Sequence, residues 1–538
     1  MENTNAVNLV NQPIPTPYAP KPKEYFKINK KEKIFSALLF LVSFCFVAFG
    51  LWGGFNLGFS ISYVLFFGVM LSYLVSRKTR ISAFAALSGL LSLLLSLSFG
   101  FYNYAFLKVI ALSLIFMLSA VFMDSLCEPY IFKGNVEAFV SIFTSTFGRL
   151  FDNVEKTLRS LFRKEKEGLS SFAKVMIGIA CAMPLVLIIV PILIRSDAAF
   201  EGLMSAVAED MFSFIFKLVL SFAVCALLIS YALSTKTKTQ KQKTLGEKKG
   251  IEAIFVSAFL GVISLCYLTY LFSQLSYFFN AFLGFLPKGY SFTVSEYARR
   301  GFFEMFAIAI INILIVFVTM LISKKKNYKV PISVRMFNLF ISIFTLIIIS
   351  TALSKMVLYI KSFGLTRLRV GTSCAMLVLF VTFIAVIVKC FVKRSPILKT
   401  FMICAAVVAI ALSFFNIDNI VCRYNINSYK SGALKTLDVD TISELGNASV
   451  PYLIELTEDK DANVSYESRY ALYEKIEMMY IVKSNKLQPR SHQLGAYNFI
   501  DKKAYDALDK FIKKEKLNGE KIQSFLYEDW RNYEYQYM

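Results

Sequence analysis

The sequence predicts an all-α fold, a polytopic membrane bundle of about eleven transmembrane helices with a small helical extramembrane domain at its C-terminal end. Apolar segments of about 18–24 residues recur along the first three quarters of the chain, and each can cross a bilayer as one helix. Hydrophobic residues make up 56% of the 538 residues and charged residues only 18%, which gives a mean hydropathy of +0.56. Because backbone polar groups in lipid must be satisfied internally, these segments are expected to be helices.

The predicted spans fall into two groups that a long connection separates. Residues 1–33 are basic and rich in proline, and they are expected to form a disordered cytoplasmic tail. Residues 34–123 hold the first transmembrane group, residues 124–172 a helical loop, residues 173–417 the second group, and residues 418–538 the C-terminal domain. The spans are predicted at residues 34–53, 57–75, 81–99, 105–123, 173–194, 211–233, 251–272, 302–322, 337–358, 371–392 and 400–417.

The distribution of positive charge indicates the orientation of the helices. The formal net charge is +22, yet residues 418–538, with 17 basic and 19 acidic side chains, carry −2, so the excess lies in the membrane part. Lysine and arginine collect in the tail and on every second connection, which the positive-inside rule assigns to the cytoplasm. We therefore expect a bacterial cell-membrane protein with a cytoplasmic N-terminus, an extracytoplasmic C-terminal domain and no nucleic-acid partner.

The loop at residues 124–172 is predicted to contain an amphipathic helix. Apolar residues recur there at steps of three and four, and basic residues accompany them. Such a helix can lie on the anionic cytoplasmic leaflet or pack against the ends of the transmembrane helices, and the sequence leaves both open. The apolar positions are Phe132, Val136, Phe139, Phe143, Phe147, Leu150, Val154, Leu158 and Leu161.

The C-terminal domain is predicted to be helical. Residues 501–517 place Ala504, Leu508, Phe511 and Ile512 on one face, and Gly519 suits the end of that helix. Residues 443–476 have the outline of one HEAT-type repeat. Because one repeat cannot form a solenoid, a plain helical hairpin is the preferred interpretation.

The residue types present argue against several classes of enzyme. His492 is the only histidine, which argues against a histidine-built metal site or a Ser-His-Asp triad. The nine cysteines include no CxxC pair, so neither a thiolate metal site nor a disulfide framework is expected. The sequence also lacks a phosphate-binding loop and a nucleophile elbow. We therefore expect no cofactor, no metal and no enzymatic activity.

The strongest local pattern is TVSEYARRGFFE at residues 293–304. Thr293 and Glu296 have the spacing of a capping box, so a helix is predicted to begin there with Glu296, Arg300 and Glu304 on one face. The predicted topology brings basic residues of neighbouring helix ends to the same outer leaflet. The resulting candidate cluster comprises Glu296, Arg299, Arg300, Glu304, Lys355, Lys361, Arg367 and Arg369.

Two interpretations of this charged cluster remain open. Six positive and two negative side chains leave a net charge of +4. That charge suits an outward-facing site for a lipid phosphate or an acidic envelope polymer, since arginine donates two parallel hydrogen bonds to phosphate. The same residues are also suited to a structural network of ion pairs that fixes three consecutive helices.

Two sequence blocks at this end of the bundle resemble a known family. EYARRGFFEMFAIAIINILIV at residues 296–316 and YIKSFGLTRLRV at residues 359–370 are similar to bacterial multi-pass membrane proteins of domain-of-unknown-function family 4173, to which family 4153 is related. The similarity covers residues 255–445, and Gly371 and Thr372 stand where such proteins often have an aromatic residue. The resemblance implies a bacterial cytoplasmic-membrane protein, and it implies no catalytic residue.

The expected function is that of a non-enzymatic membrane sensor, scaffold or envelope-associated partner with an outward-facing anion site. The alternative is a transporter or flippase for an anionic or amphiphilic substrate, which the number of helices and the cationic cluster favour. A membrane enzyme ranks last, because Glu296 or Glu304 would have to act as its base without a metal or nucleophile. The expected partners are membrane lipids and, through the C-terminal domain, another envelope protein.

Overall fold

A computed structural model describes an all-α chain with one short β-hairpin in the part it describes. Nine helices within that part are long and apolar enough to cross a membrane, and the shorter apolar helix Leu57–Tyr73 is a tenth candidate. The predicted polytopic α-helical bundle is thus confirmed. The structure describes residues 26, 28–75, 81–127, 136–151, 153–162, isolated positions between 178 and 196, 198–234, 250–283, 301–325, 330–392, 396–483, 486–489 and 496–526.

Each predicted span that the structure describes coincides with a helix, although α7 begins 13 residues before its predicted span and α8 ends 11 residues after its own. The predicted span at residues 302–322 matches its helix at both ends, whereas the predicted span at residues 173–194 lies mostly outside the described residues. The helices are α1 (Lys30–Cys45, continued by the π-helical segment Phe46–Leu51), α2 (Leu57–Val75), α3 (Ala83–Leu97), α4 (Ala105–Cys127), α5 (Val136–Phe151), α6 (Val154–Phe162), α7 (Ala198–Ser234), α8 (Ala253–Leu283), α9 (Phe302–Ile322), α10 (Ile332–Phe363), α11 (Arg367–Phe391) and α12 (Ile397–Phe414).

Hydrophobic packing divides the membrane helices into two groups that do not follow chain order. The first helix group comprises α1 to α4, α7 and α12, around fully buried residues such as Leu39 and Leu118. The second helix group comprises α8 to α11, around Leu260 and Ile341. Helix α12 packs against α3, α4 and α11, so it joins the two groups.

The C-terminal domain has a hydrophobic core of its own, which includes Leu453, Leu472 and Leu508. Helices α15 and α16 pack on each other as a helical hairpin, and α17 packs on α15. Helix α17 buries the predicted Ala504, Leu508 and Phe511, although it begins and ends two residues earlier than predicted. The elements are α13 (Ile417–Lys430), α14 (Val439–Ser443), α15 (Val450–Leu456), α16 (Ala462–Met479), the antiparallel strands β1 (Tyr480–Lys483) and β2 (Lys486–Pro489), and α17 (Phe499–Glu515).

The contacts of the described helix ends distinguish two ends of the bundle. The C-terminal domain packs on the end formed by residues 53–56, 98–104 and 364–366, which we call the domain face. The opposite end, the far face, holds the start of α1, the end of α4, and helices α5 and α6. Helix α7 runs between the two ends, since Phe216 meets Trp52 at the domain face and Tyr231 bonds Asp124 at the far face. The start of α1 and the C-terminal domain therefore lie at opposite ends of the bundle.

Candidate functional site

The described members of the predicted charged cluster all lie toward the domain face. Glu304 is at the start of α9, Lys355 and Lys361 are in the second half of α10, and Arg367 and Arg369 are at the start of α11. The other three members, Glu296, Arg299 and Arg300, lie outside the described residues.

Helix α9 begins at Phe302, and this corrects the prediction of one continuous helix from Thr293 to Glu304. Gly301 has φ 85° and ψ −9°, a left-handed conformation that glycine adopts readily but that interrupts a right-handed helix. Glu304 therefore lies in the first turn of α9, where the positive end of the helix dipole favours a carboxylate.

Arg367 joins α11 to the C-terminal domain. Its Nε and Nη2 donate hydrogen bonds to Oδ1 and Oδ2 of Asp418 at 2.6 and 2.9 Å, which is the two-pronged geometry of a strong arginine–carboxylate pair. Its Nη1 donates to the carbonyl oxygen of Glu444 at 3.0 Å, and its guanidinium lies 4.7 Å over the ring of Tyr104, which directly precedes α4. The donors of this arginine thus serve contacts within the protein.

The Arg367–Asp418 pair lies in a water-poor environment. Lys475 nearby donates from Nζ to the carbonyl oxygens of Ser443 and Gly446 at 2.7 and 3.0 Å. Burial, followed by the charge of Arg367, lowers the pKa of Lys475. Burial also raises the pKa of the Cys422 thiol to about 12, so this cysteine is protonated and unreactive at neutral pH.

Arg369 closes the C-terminal end of α10. Its Nη1 donates to the carbonyl oxygen of Phe363 at 3.0 Å and to that of Gly364. Its guanidinium lies 4.2 Å over the ring of Tyr359. Because the last carbonyl groups of a helix have no partner within the helix, this arginine supplies donors that the helix itself lacks.

Beside Arg369, helices α9, α10 and α11 enclose a cleft of about 200 Å³ at the domain face. Its wall is mainly apolar and aromatic, with one guanidinium and a few hydroxyl groups, so it complements an amphiphile with an anionic group. We call it the domain-face cleft, and it is lined by Phe302, Phe303, Met356, Tyr359, Thr366, Leu368, Arg369 and Thr372.

Lys355 and Glu304 lie close to the domain-face cleft. Lys355 is buried, and its Nζ lies 3.7 Å from the position that a β-carbon on Gly301 would take. The carboxylate of Glu304 acts on this ammonium group electrostatically. The chain neighbour of Lys355, Met356, lines the cleft, whereas Lys361 is exposed. The structure thus brings Glu304, Lys355 and Arg369 to the surroundings of one cleft.

Sequence reasoning missed a second attachment of the C-terminal domain. Asn498 caps α17 by accepting from the N–H of Ile500 at 2.9 Å, and its Nδ2 donates to the carbonyl oxygen of Tyr102 at 3.0 Å. The ring of Phe499 stacks on that of Phe101 with centroids 4.9 Å apart. An asparagine before an amphipathic helix indicates only an N-cap, so the sequence carried no signal for this contact with the bundle.

Lys108 lies under this second attachment. Its Nζ donates to Oδ1 of Asn56 at 2.8 Å and to Oδ1 of Asn103 at 2.9 Å. The backbone N–H of Leu57 donates to the carbonyl oxygen of Tyr497 at 3.2 Å, so backbone and side chains both join the domain to the first helix group.

The described residues bring together no group of three His, Cys, Asp or Glu side chains that could hold a metal ion. The arrangement at the domain face therefore offers charge recognition and apolar contact.

Comparison with known proteins gives one family model. It describes a domain of unknown function, DUF4153, and it matches residues 86–456, which is more than half of the chain. The match begins within α3, after α1 and α2, and it includes the rest of the first helix group, the whole second helix group and the start of the C-terminal domain. It thus extends beyond the two blocks at residues 296–316 and 359–370. The relation to family 4173 stays a prediction. No curated protein and no solved structure matches the chain significantly.

Proposed function

The chain belongs to the family of the domain of unknown function DUF4153, and we propose that it is a non-enzymatic membrane scaffold or sensor that holds an anionic amphiphile in its domain-face cleft. The observation that carries this proposal is the composition of the cleft wall, in which apolar and aromatic side chains surround one guanidinium. Acyl chains fit such a wall, while Arg369 offers charge-assisted hydrogen bonds to a phosphate or carboxylate.

The C-terminal domain supports the scaffold role because it contacts both helix groups. Arg367 pairs with Asp418 on the side of the second helix group, and Asn498 bonds the carbonyl oxygen of Tyr102 on the side of the first. A ligand between α9, α10 and α11 lies next to the first of these attachments, since Thr366 and Leu368 flank Arg367. Occupation of the cleft is therefore positioned to affect how the domain is held.

We further propose that the domain face is extracytoplasmic, in the cytoplasmic membrane of a bacterium, and that the domain meets an envelope protein there. Exposed lysines at the far face, such as Lys31, Lys33 and Lys324, support a cytoplasmic far face. Protease treatment of intact spheroplasts tests this orientation, because only an outward domain is cleaved.

Lipid binding in the domain-face cleft is tested by measuring which added lipid the purified protein retains. Wild type is incubated in detergent micelles with phosphatidylglycerol or phosphatidylcholine, and native mass spectrometry counts the retained lipids. We expect preferential retention of phosphatidylglycerol and an affinity at least about tenfold weaker in Arg369→Gln, since one charge-assisted contact contributes about 1.5–3 kcal/mol. Thr372→Phe, which fills the cleft without changing charge, should reduce retention of both lipids.

The matched control is Arg423→Gln, which removes the same charge from an exposed position on α13. Its lipid retention should equal that of wild type. If Arg369→Gln folds with an unchanged melting temperature and retains phosphatidylglycerol as wild type does, the cleft is not the binding site.

A transporter or flippase is the second candidate, and a polar row inside the second helix group favours it. Tyr267 donates to Oδ1 of Asn312 at 2.5 Å, and Asn312 donates to Thr345 at 2.8 Å. Asn338 is fully buried on the same helix as Thr345, and its Nδ2 has no hydrogen-bond partner among the described residues. Buried polar groups in a membrane either bind helices together or line a path for a substrate.

Lipid movement in vesicles separates the two candidates. Fluorescently labelled phosphatidylglycerol in reconstituted vesicles is quenched with dithionite, which reports transfer between leaflets. A flippase should exceed protein-free vesicles and slow down in Asn338→Leu. A scaffold should match protein-free vesicles.

A further inference from the structure

Helix α5 at the far face exposes three aromatic side chains and buries a polar one. Phe143 and Phe151 are 52% and 57% exposed, and Phe147 is also exposed, whereas Thr146 is 5% exposed. A helix that packs on a protein core shows the reverse pattern. The aromatic row at Phe143, Phe147 and Phe151 therefore faces away from the rest of the chain.

A buried carboxylate fixes this orientation. Asp124 at the end of α4 is fully buried and accepts from Thr146 Oγ1 at 3.1 Å, from Arg149 Nη1 at 3.2 Å and from Tyr231 of α7 at 2.8 Å. Rotating α5 would leave the charge of Asp124 without Thr146 and Arg149, which is costly in a site closed to water. The contacts of Asp124 thus hold α5 in the rotation that points the aromatic row outward.

The aromatic row continues the lipid-facing surface of α4. The ring of Phe147 lies 5.7 Å from that of Phe116, which is 39% exposed on a candidate membrane span. Phe116 precedes Asp124 by eight residues, or about 12 Å of helix, so Phe147 lies well inside the end of α4. The rings of Phe143 and Phe147 in turn lie 4.6 Å apart.

The charges around the far face complement an anionic lipid surface. Lys31, Lys33 and Lys324 are exposed there. Of the acidic side chains that the structure describes at this face, Glu32 and Asp124 are buried, Glu155 pairs with Arg159, and Glu252 is exposed near Lys324. Exposed cations beside an apolar row are the combination that binds interfacial helices to anionic leaflets.

We propose that α5 is an interfacial helix whose Phe143, Phe147 and Phe151 insert into the leaflet at the far face, with anionic phospholipid as its partner. The helix contacts α4, α7 and α12 of the first helix group and α9 of the second. Lipid engagement at α5 therefore acts on both groups from the end opposite the C-terminal domain. This inference is independent of the domain-face cleft.

The scarcity of tryptophan allows a direct test in the full chain. Trp52 and Trp530 are the only two, and replacing both by Phe gives a background without tryptophan. Phe143→Trp in this background is reconstituted in phosphatidylcholine vesicles, with and without phosphatidylglycerol, that contain acyl-chain-brominated lipid. Tyr466→Trp is the matched control, since Tyr466 is exposed on α16 of the C-terminal domain.

We expect brominated lipid to quench Phe143→Trp about twofold or more, and iodide in the buffer to quench it little. Tyr466→Trp should show the opposite pattern. Quenching by brominated lipid should increase with phosphatidylglycerol. If Phe143→Trp does not accumulate as a folded protein, Phe151→Trp takes its place.

Strong iodide quenching of the α5 tryptophan would overturn the proposal, because the row would then face water. Protection from both quenchers would also overturn it, because a protein surface and not lipid would cover the row. If quenching by brominated lipid is the same with and without phosphatidylglycerol, anionic phospholipid is not the specific partner of α5.

Discussion

The C-terminal domain is attached to the two helix groups by contacts of different chemistry. On the second helix group, Arg367 and Asp418 form a charged pair whose side chains are 20% and 8% exposed. On the first, Asn498 makes neutral hydrogen bonds and Phe499 stacks on Phe101. Losing one member of the charged pair leaves a partly buried charge without its partner. Losing Asn498, which is 2% exposed, leaves neutral carbonyl groups without a donor, and an unpaired neutral group costs less than an unpaired charge.

The domain therefore has a strong attachment to the second helix group and a weak attachment to the first. The charged contact specifies one geometry and is expensive to break, and the neutral contact opens at lower cost. We therefore expect the domain to stay on the second helix group, next to the domain-face cleft, when its contact with the first group opens.

The largest effect is expected when the charged pair is broken. Arg367→Ala and Asp418→Ala should each lower the free energy of unfolding by about 3 kcal/mol, since each leaves a partly buried charge without its partner. The measurement is unfolding of the purified protein in detergent, with hydrogen exchange of α13 as a local readout. The double variant should cost less than the sum of the single variants, and strict additivity would contradict the pairing.

A backbone change at the same attachment should cost slightly less. Gly364 has φ 74°, and a β-carbon there would lie 2.6 Å from Oδ1 of Asn425. Asn425 accepts from the N–H of Leu365 at 2.6 Å and donates to its carbonyl oxygen at 2.9 Å. Gly364→Ala should therefore destabilise the protein by about 2 kcal/mol through backbone strain and displacement of Asn425.

Gly371→Ala is the matched control for Gly364→Ala. Gly371 lies within α11, and nothing lies within 4 Å of its would-be β-carbon. This substitution should be neutral or slightly stabilising, because alanine favours a helix. Equal losses of stability at the two positions would mean that the positive φ and the contact with Asn425 do not make Gly364 sensitive to substitution.

The neutral attachment should respond more weakly and more locally. Asn498→Ala removes the cap of α17 and the bond to Tyr102, at a cost of about 1–2 kcal/mol. Hydrogen exchange should rise at the start of α17 and at residues 98–104, and stay unchanged in α13. Asn463→Ala, at an exposed position of α16, should leave these regions unchanged. A rise in α13 as large as that in α17 would refute two separate attachments.

The smallest effect is expected at the surface of the domain. Lys514 and Glu458 pair at 2.6 Å, and both side chains are exposed. Lys514→Gln should leave the melting temperature unchanged, because water and salt screen exposed pairs. A clearly lower melting temperature would show that exposed ion pairs also stabilise this domain.

Much of the fold was predictable, because long apolar segments carry their own signal. The ends of α9 at Phe302 and Ile322 follow from hydropathy alone. The grouping of α7 and α12 with α1 to α4 was not predictable, since lipid-facing and protein-facing surfaces are equally apolar in a membrane protein. The short strands Tyr480–Lys483 and Lys486–Pro489 were also missed, because four residues give too little periodicity.

The candidate site was predictable in its charges and not in its pairings. Basic residues at the outer ends of helices pointed to Arg367 and Arg369. The partner Asp418 is far from Arg367 along the chain, so only the tertiary structure shows that this arginine is engaged within the protein. The capping-box pattern at Thr293 predicted an uninterrupted helix, and it gave no indication that Gly301 adopts a left-handed conformation.

The central claim is that an anionic amphiphile in the domain-face cleft affects the strong attachment of the C-terminal domain. The most direct measurement is hydrogen exchange of residues 364–370 and α13 in nanodiscs of phosphatidylcholine, with and without phosphatidylglycerol. We expect phosphatidylglycerol to slow exchange in wild type and in Arg423→Gln, and to have no effect in Arg369→Gln. Exchange that is the same with both lipids in wild type would contradict the account.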